Sequence, residues 1–347
     1  MKIKSSIRHY SIDFVNNEKI INKFYDFFII DVNVYLLHLN KFKRINKNSI
    51  IFIDALEKNK EYVACADIIK KLIDAGVKRG NTICAIGGGI VQDIAGFITS
   101  ILYRGIDWVF YPTTLLSQCD SCIGGKTSIN LGEYKNLVGN FNPPKQIIID
   151  TSYLKTLIIA DIQSGIGEII KVALLDSKNR ISYKRIIDCI ETNMVDNKIV
   201  KDALTIKKEI IEIDEFDKGL RNIMNFGHTF GHAIESLTKF KIPHGISVGL
   251  GISIANNVSY QLGHSRPNQN IDKLISAFEL KNKVFLDLFK TSYDSKEYIK
   301  ILSHDKKNLN IDEICCIIKV DKGYMKTGIK KEILKKCINR IMKGYDN

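Results

Sequence analysis

Three of the chain's seven histidines fall in one short window. His228 and His232 stand four apart in Asn225-Phe226-Gly227-His228-Thr229-Phe230-Gly231-His232-Ala233-Ile234-Glu235, and His244-Gly245 follows. A spacing of four puts two side chains on one face of a helix, and the third histidine lies just beyond the expected helix end. Imidazole ligates borderline-soft ions, so the window reads as a site for Zn²⁺ or a neighbouring divalent ion. Solvent-facing polar histidines are the alternative. Upstream, Gly167-Glu168-Ile169-Ile170-Lys171 opens a helical run. Its carboxylate could complete a His, His, Glu set with a coordination position left for substrate; a surface Glu–Lys pair is the other reading. Lys207-Lys208, Asp214-Glu215, Asp217 and Arg221 form a charge run of the kind that usually lines a solvated helix face, yet this one leads straight into the histidines.

A second group of motifs suits anions. Gly87-Gly88-Gly89 follows the apolar run Thr82–Ile86 and precedes a helical pattern. Glycines at such a turn let backbone N–H groups approach a pyrophosphate at a helix N-terminus, although the GxGxxG spacing is absent. Pro112-Thr113-Thr114 lies just past the run Trp108–Tyr111, at an expected carboxyl end of the sheet, where α/β folds put ligands. Gly124-Gly125-Lys126-Thr127, Asn130 and Lys135-Asn136 join a glycine-rich loop to lysines, which suits phosphate or carboxylate. The spacing is not that of a Walker loop. Cys119 and Cys122 have CxxC spacing without a second pair, and read as small residues lining a loop; Cys315-Cys316 reads as core strand.

The elements that must position these residues alternate at first. Phe27–Tyr35, Ile50–Ile53, Asn81–Ile86, Trp108–Tyr111 and Gln146–Ile149 read as strands, with Ile69–Ala75 and Val91–Tyr103 helical. That alternation predicts an α/β domain over residues 1–157 with a Rossmann-like, largely parallel sheet. From residue 158 to 347 long amphipathic patterns take over: Asp161–Asp176, Ile181–Asn193, Asn197–Asp214, Asn222–Lys239 and His244–Leu262. They predict a mostly α-helical second domain. Pro143-Pro144 and the segment near Asp150 bracket the junction. Hydrophobic content of 45% and charged content of 26% are ordinary for a globular protein. No apolar run is long enough to span a bilayer, and Met1-Lys2-Ile3-Lys4-Ser5-Ser6 leads into no hydrophobic leader, so the expected compartment is the cytoplasm. Eight scattered cysteines fit reduced thiols there. The net charge of +13 comes from lysines spread along the chain, which favours a basic cleft for an anionic small molecule over a nucleic-acid partner.

In this order, along almost the whole chain, these motifs resemble those of the 3-dehydroquinate synthases, within the sugar phosphate cyclases. The resemblance begins at Asp31-Val32-Asn33-Val34 and Glu57-Lys58-Asn59-Lys60. It runs through Gly87-Gly88-Gly89 with Asp93, Arg104-Gly105 and Pro112-Thr113-Thr114-Leu115-Leu116. Gln118 and Asp120 through Asn136, Glu168 with Lys171, Arg221 through Glu235, His244-Gly245 and Asp305-Lys306-Lys307 carry it further. It implies a two-domain enzyme, usually a homodimer, with bound NAD and one divalent metal, Zn or Co. The substrate implied is an anionic sugar phosphate, 3-deoxy-D-arabino-heptulosonate 7-phosphate, and the products are 3-dehydroquinate and phosphate. Transient oxidation, phosphate elimination, reduction and an internal aldol closure lead from one to the other. Glu168, His228 and His244 resemble the metal ligands, and His232 a substrate-contacting residue. Lys126, Asn136, Arg104 and Lys171 would meet phosphate or other anionic groups; Arg221, Asn225, Lys207 and Lys306 would meet carboxylate and hydroxyls. Asp31, Asn33, Glu57, Lys60, Gly88, Gly89, Asp93, Thr113, Thr114, Lys126 and Lys135 resemble the NAD site. Asp120 resembles a residue bridging substrate and nicotinamide. A carboxylate such as Glu57 fits a ribose 2′-hydroxyl and disfavours a 2′-phosphate.

Several positions depart from the family pattern. Leu56 replaces a glycine, Ile158-Ile159-Ala160-Asp161 stands for the usual Pro-x-Arg-Glu, and Gly167 replaces an alanine. Asp217 stands where glutamate is usual, Ile246 replaces another glutamate, and Tyr134 and Asn142 are atypical. None removes an expected ligand. A sister cyclase acting on a heptulose or hexose phosphate is the alternative. Such substrates lack the carboxylate that Lys126, Arg221, Asn225 and Lys306 would otherwise answer, and unanswered cations in a desolvated site are costly.

Overall fold

Seven strands form one sheet. They are β1 (Lys2–Ile3), β2 (Tyr10–Val15), β3 (Phe27–Asp31), β4 (Ile50–Ile53), β5 (Thr82–Gly87), β6 (Asp107–Pro112) and, after a separate hairpin of β7 (Lys126–Leu131) and β8 (Tyr134–Phe141), β9 (Gln146–Asp150). The order is β1-β2-β9-β6-β5-β3-β4, and every neighbouring pair is parallel except β1 with β2. Near-continuous apolar strands are what a parallel sheet covered on both faces requires. In β5, Ile83, Cys84, Ala85 and Ile86 are all completely buried. The computed structural model describes residues 1–16, 25–132, 134–304 and 311–345, so Asp305, Lys306 and Lys307 lie outside the described residues. The chain divides into two units, Met1–Leu157 with Lys207–Phe216, and Ile158–Ile206 with Asp217–Asn347.

In the first unit, the run Phe27–Tyr35 is not all strand. It stops at Asp31, whose carboxylate accepts from the Asn33 N–H at 2.9 Å and caps the helix Val32–Leu37. The helical stretch expected from Ile69 starts earlier, at Tyr62, behind a Glu61 cap. The next helix, Gly89–Ile101, gives way to a turn in which Tyr103, Arg104 and Gly105 all have positive φ. The glycine-rich loop of the sequence reading is largely the β7–β8 hairpin. β1 and β2 had no strong signal.

The second unit is mostly helical. Its helices include Ile159–Leu175, Tyr183–Thr192, His228–Leu237, His244–Gln261, Gln269–Lys281, Lys283–Ser292, Ser295–Ser303 and Lys331–Gly344. An antiparallel hairpin joins them, of β10 (Glu313–Val320) and β11 (Gly323–Lys330). The helix Asn197–Ile213 contributes to both units. His244–Gln261 is buried almost all round, as the core helix of a helical unit must be. The expected helix Asn222–Lys239 is interrupted. A 3-10 turn, Leu220–Asn225, is followed by Gly227 at φ +79°, and the helix restarts at His228. His244 opens the next helix, where the pattern His244–Leu262 places it. No described helix is long and apolar enough to cross a membrane.

Candidate metal centre and dinucleotide site

Three helices of the second unit converge on one carboxylate. Glu168, on Ile159–Leu175, is 1% exposed, and its Oε1 lies 3.6 Å from His228 Nε2 and 3.3 Å from His244 Nε2. The far atom of each group is also engaged. Glu168 Oε2 is 2.5 Å from Lys171 Nζ. His244 Nδ1 is 2.9 Å from Glu235 Oε1, and His228 Nδ1 is 3.4 Å from the Phe226 carbonyl oxygen. That arrangement turns one oxygen and two Nε2 atoms toward a common point. Ring nitrogens of His228, His232 and His244 also lie within 4.8 Å of one another, so an all-histidine set is the geometric rival. The buried carboxylate, with its second oxygen on a lysine, favours Glu168, His228 and His244, with the exposed His232 beside them.

The electrostatics fit a cation. Burial first, and then the Lys171 ammonium, hold His228 well below its ordinary pKa, which leaves a neutral ligand. Burial disfavours charge on Glu168 and His244 too, but partners outweigh it. Lys171, His228 and His244 hold Glu168 well below the carboxylate range. Bonds to Glu168 and Glu235 push His244 up to about 10. A divalent ion would take the place of the proton that His244 now presents to Glu168.

Close helix approach places these groups. A Cβ on Gly167 would collide with the Gly245 carbonyl oxygen, and a Cβ on Gly245 with the Ser164 carbonyl oxygen. The Gly245 N–H donates to Ser164 Oγ at 2.9 Å. Glycine therefore lies at the contact on both helices, one residue from Glu168 on one side and from His244 on the other.

In the first unit, β5 delivers Gly87 to the turn, and Gly88 and Gly89 open a helix. A Cβ on Gly88 would come within 2.9 Å of Thr114 Cγ2. Thr114 is fixed by its Oγ1, 2.8 Å from Ser117 Oγ. Lys60, 5% exposed, donates to Asp93 Oδ2 at 3.0 Å and to Asn136 Oδ1 at 2.5 Å. Asn130 Nδ2 donates to Glu57 Oε1 at 2.9 Å. Burial pushes Asp93 up despite Lys60, and burial likewise raises Asp31. Asp120 rides on a short π-helix, Ser117–Ser121, of a kind common at functional sites. Lys207 lies 3.0 Å from Asp120 Oδ1 and donates to its carbonyl oxygen at 2.6 Å.

The remaining expected residues divide. Lys171 joins the Glu168 group. Arg221 and Asn225 share the turn Leu220–Asn225, Arg221 buried to 5% exposure. Asn136, expected on substrate, is bonded within the Lys60 network. Lys126 and Lys135 are exposed on the hairpin, and Arg104 is exposed at the positive-φ turn. Lys306 lies outside the described residues. Sequence reasoning missed Glu235, although its place seven residues after His228, two helical turns on the same face, could have revealed it.

Comparisons with known proteins agree along the chain. The family model for the 3-dehydroquinate synthase N-terminal region matches residues 50–182, and that for the C-terminal region matches residues 165–308. A 3-dehydroquinate synthase from Clostridium tetani (strain Massachusetts / E88) is 34% identical over 322 residues, covering 90% of this chain and 84% of the relative. One from Thermoanaerobacter sp. (strain X514) is 38% identical over 295 residues, 81% of each. Among solved structures, a 2-deoxy-scyllo-inosose synthase complexed with carbaglucose-6-phosphate, NAD⁺ and Co²⁺ has a similar fold. Its TM-score is 0.83 at 23% identity, over 98% of this chain and 99% of that one. A 2-epi-5-epi-valiolone synthase from Streptomyces hygroscopicus subsp. jinggangensis 5008, with NAD⁺ and Zn²⁺ bound, gives 0.79 at 20% identity over the same shares.

Proposed function

The chain belongs to the 3-dehydroquinate synthase family, and on that premise we propose that it converts 3-deoxy-D-arabino-heptulosonate 7-phosphate into 3-dehydroquinate and phosphate. It is a lyase that uses NAD and one divalent metal, Zn²⁺ or Co²⁺. The observation that carries the reading is the meeting of Glu168 Oε1, His228 Nε2 and His244 Nε2 in a chain of this family. When bound, NAD⁺ would supply a reversible hydride acceptor for the carbon that bears a substrate hydroxyl, and the metal ion would supply a Lewis acid that polarises that hydroxyl. No net redox change results.

The chain's own residues bind and orient. Glu168, His228 and His244 would hold the ion. Lys171 keeps the second Glu168 oxygen engaged and brings a cation to the anionic substrate. Arg221 and Asn225 meet carboxylate and hydroxyls from one turn, with Lys207 and Lys306. Lys126, Asn136 and Arg104 answer the phosphate. His232, exposed beside both ligand histidines, contacts substrate. Asp31, Asn33, Glu57, Lys60, Gly88, Gly89, Asp93, Thr113, Thr114, Asp120, Lys126 and Lys135 form the NAD site. The Glu57 carboxylate is suited to a ribose 2′-hydroxyl, hence NAD rather than its 2′-phosphorylated form. The working protein is a cytoplasmic homodimer.

The test is phosphate release from the heptulosonate phosphate by purified protein supplied with metal and NAD⁺, with the product identified by mass. Turnover to 3-dehydroquinate is expected. Protein that holds NAD and metal but does not turn over would overturn the substrate assignment and move the search to heptulose 7-phosphates and glucose 6-phosphate.

A further inference from the structure

The geometry points to Glu235 as the residue that positions the metal ligand His244. The inference rests on the metal reading above and adds to it a residue outside the ligand set. His244 is the most exposed of the three ligands, at 39% of its side chain, against 13% for His228 and 1% for Glu168. It is also the first residue of its helix, directly after Pro243. Packing alone therefore constrains its ring least, and the terminal ring torsion of histidine is broad. Glu235 supplies the missing constraint. Its Oε1 lies 2.9 Å from His244 Nδ1, while the opposite ring nitrogen sits 3.3 Å from Glu168 Oε1. The Glu235 side chain is itself only 13% exposed, so the carboxylate end of the bond is held by its surroundings.

The sequence explains how a single helix can do this. Glu235 follows His228 by seven residues on His228–Leu237, and seven residues bring a helix back to nearly the same face. The helix that delivers one ligand thus also delivers the carboxylate that turns the ring of another. An acceptor at Nδ1 fixes the tautomer, keeps the Nε2 lone pair available for an ion, and raises the basicity of the ligand. His228 has only a backbone carbonyl in that role, at 3.4 Å, but it is already enclosed.

The experiment is a competition titration of the purified full chain with Zn²⁺ against a chromogenic chelator. It compares wild type, Glu235→Ala, Glu235→Gln and His228→Ala, with thermal unfolding of each metal-free protein alongside. Glu235→Ala is expected to bind Zn²⁺ about 10- to 100-fold more weakly. Glu235→Gln, which keeps an acceptor oxygen, should recover part of that loss, and metal-free unfolding should stay close to wild type. With Co²⁺ in place of Zn²⁺, the visible absorption of Glu235→Ala should shift as the ligand field changes. If Glu235→Ala binds Zn²⁺ like wild type while His228→Ala does not, the inference is overturned and the metal centre stands. If His228→Ala also binds like wild type, the metal reading falls and takes the inference with it. If both Glu235 variants lose affinity equally and their metal-free forms melt early together, Glu235 is merely structural and the positioning role is overturned.

Discussion

Glu168 faces three partners with its two oxygens, and the pair it makes with Lys171 is almost fully dehydrated, at 1% and 3% side-chain exposure. Removing one member of such a pair leaves an uncompensated buried charge, whereas the intact pair adds little net stability. Lys171→Met is therefore expected to destabilise the metal-free protein by about 3 kcal/mol. Saturating Zn²⁺ should narrow the gap, because the ion restores a positive charge beside the carboxylate. Denaturant unfolding with and without Zn²⁺ measures both effects, and a loss that metal leaves unchanged would show that Lys171 does not answer Glu168. His228→Ala tests the ligand set from the other side. Metal content and turnover should fall together, since His228 is held neutral and aimed at Glu168. Full occupancy by elemental analysis would remove His228 from the ligands. Residue types and spacing made the histidines legible in the sequence and offered Glu168 as one reading of a Glu–Lys pair, and the family resemblance then favoured that reading. Glu235 was legible only as a carboxylate seven residues after His228; its partner His244, nine positions on, sits on a different helix.

At the scale of elements, the site depends on how near the helices come. Gly245 packs on the Ser164 carbonyl and Gly167 on the Gly245 carbonyl, and side-chain-free contacts of this kind cannot absorb a methyl group without a shift of backbone. Gly245→Ala should cost about 1–3 kcal/mol by overpacking and lower Zn²⁺ affinity, because the helix that would move carries His244. Normal affinity in a destabilised variant would mean that the strain is relieved elsewhere. The connection into that helix is strained as well. Lys239 and Phe240 both have positive φ, at +53° and +58°, where a non-glycine residue is held at a cost of roughly 1–2 kcal/mol. Lys239→Gly should raise stability by about 0.5–1 kcal/mol, read as a higher denaturation midpoint with unchanged slope. The elements legible in advance were those with one strong period, such as β4, β5 and the long helices of the second unit. Val32–Tyr35 reads as strand because its valines and tyrosine favour strand, while the Asp31 cap commits the backbone to helix. In sequence the hairpin of β7 and β8 reads as loop, because glycines and asparagines outweigh the alternation of Thr127 and Ile129. Gly227, read as part of one long helix, breaks it at φ +79°, and Ile252 and the Val248 carbonyl come so near that no Cβ would fit there.

At the scale of the whole molecule, the residues proposed for the cofactor and those proposed for the metal fall in different compact units. All the residues assigned to NAD lie between Asp31 and Lys135, in the first unit, and Glu168, His228 and His244 lie in the second. The separation was legible in outline from the change in periodicity near residue 158. The return of Lys207–Phe216 to the first unit was not, because nothing in an amphipathic helix marks the point where its packing partner changes. Lys207 pairs with Asp120 on that returning stretch, so a cation proposed for substrate is built into the unit proposed to hold NAD. Two ligands influence each other's affinity only to the extent of a coupling free energy between their sites. With separate residue sets, that coupling is expected to be small for the two cofactors. His228→Ala, which should bind no metal, is therefore expected to bind NAD⁺ with a Kd within about threefold of wild type, or roughly 0.65 kcal/mol. Isothermal titration of both proteins in the presence of Zn²⁺ measures it. A tenfold or larger loss would correspond to at least about 1.4 kcal/mol of coupling, and would show that the metal helps to set the conformation that receives the dinucleotide.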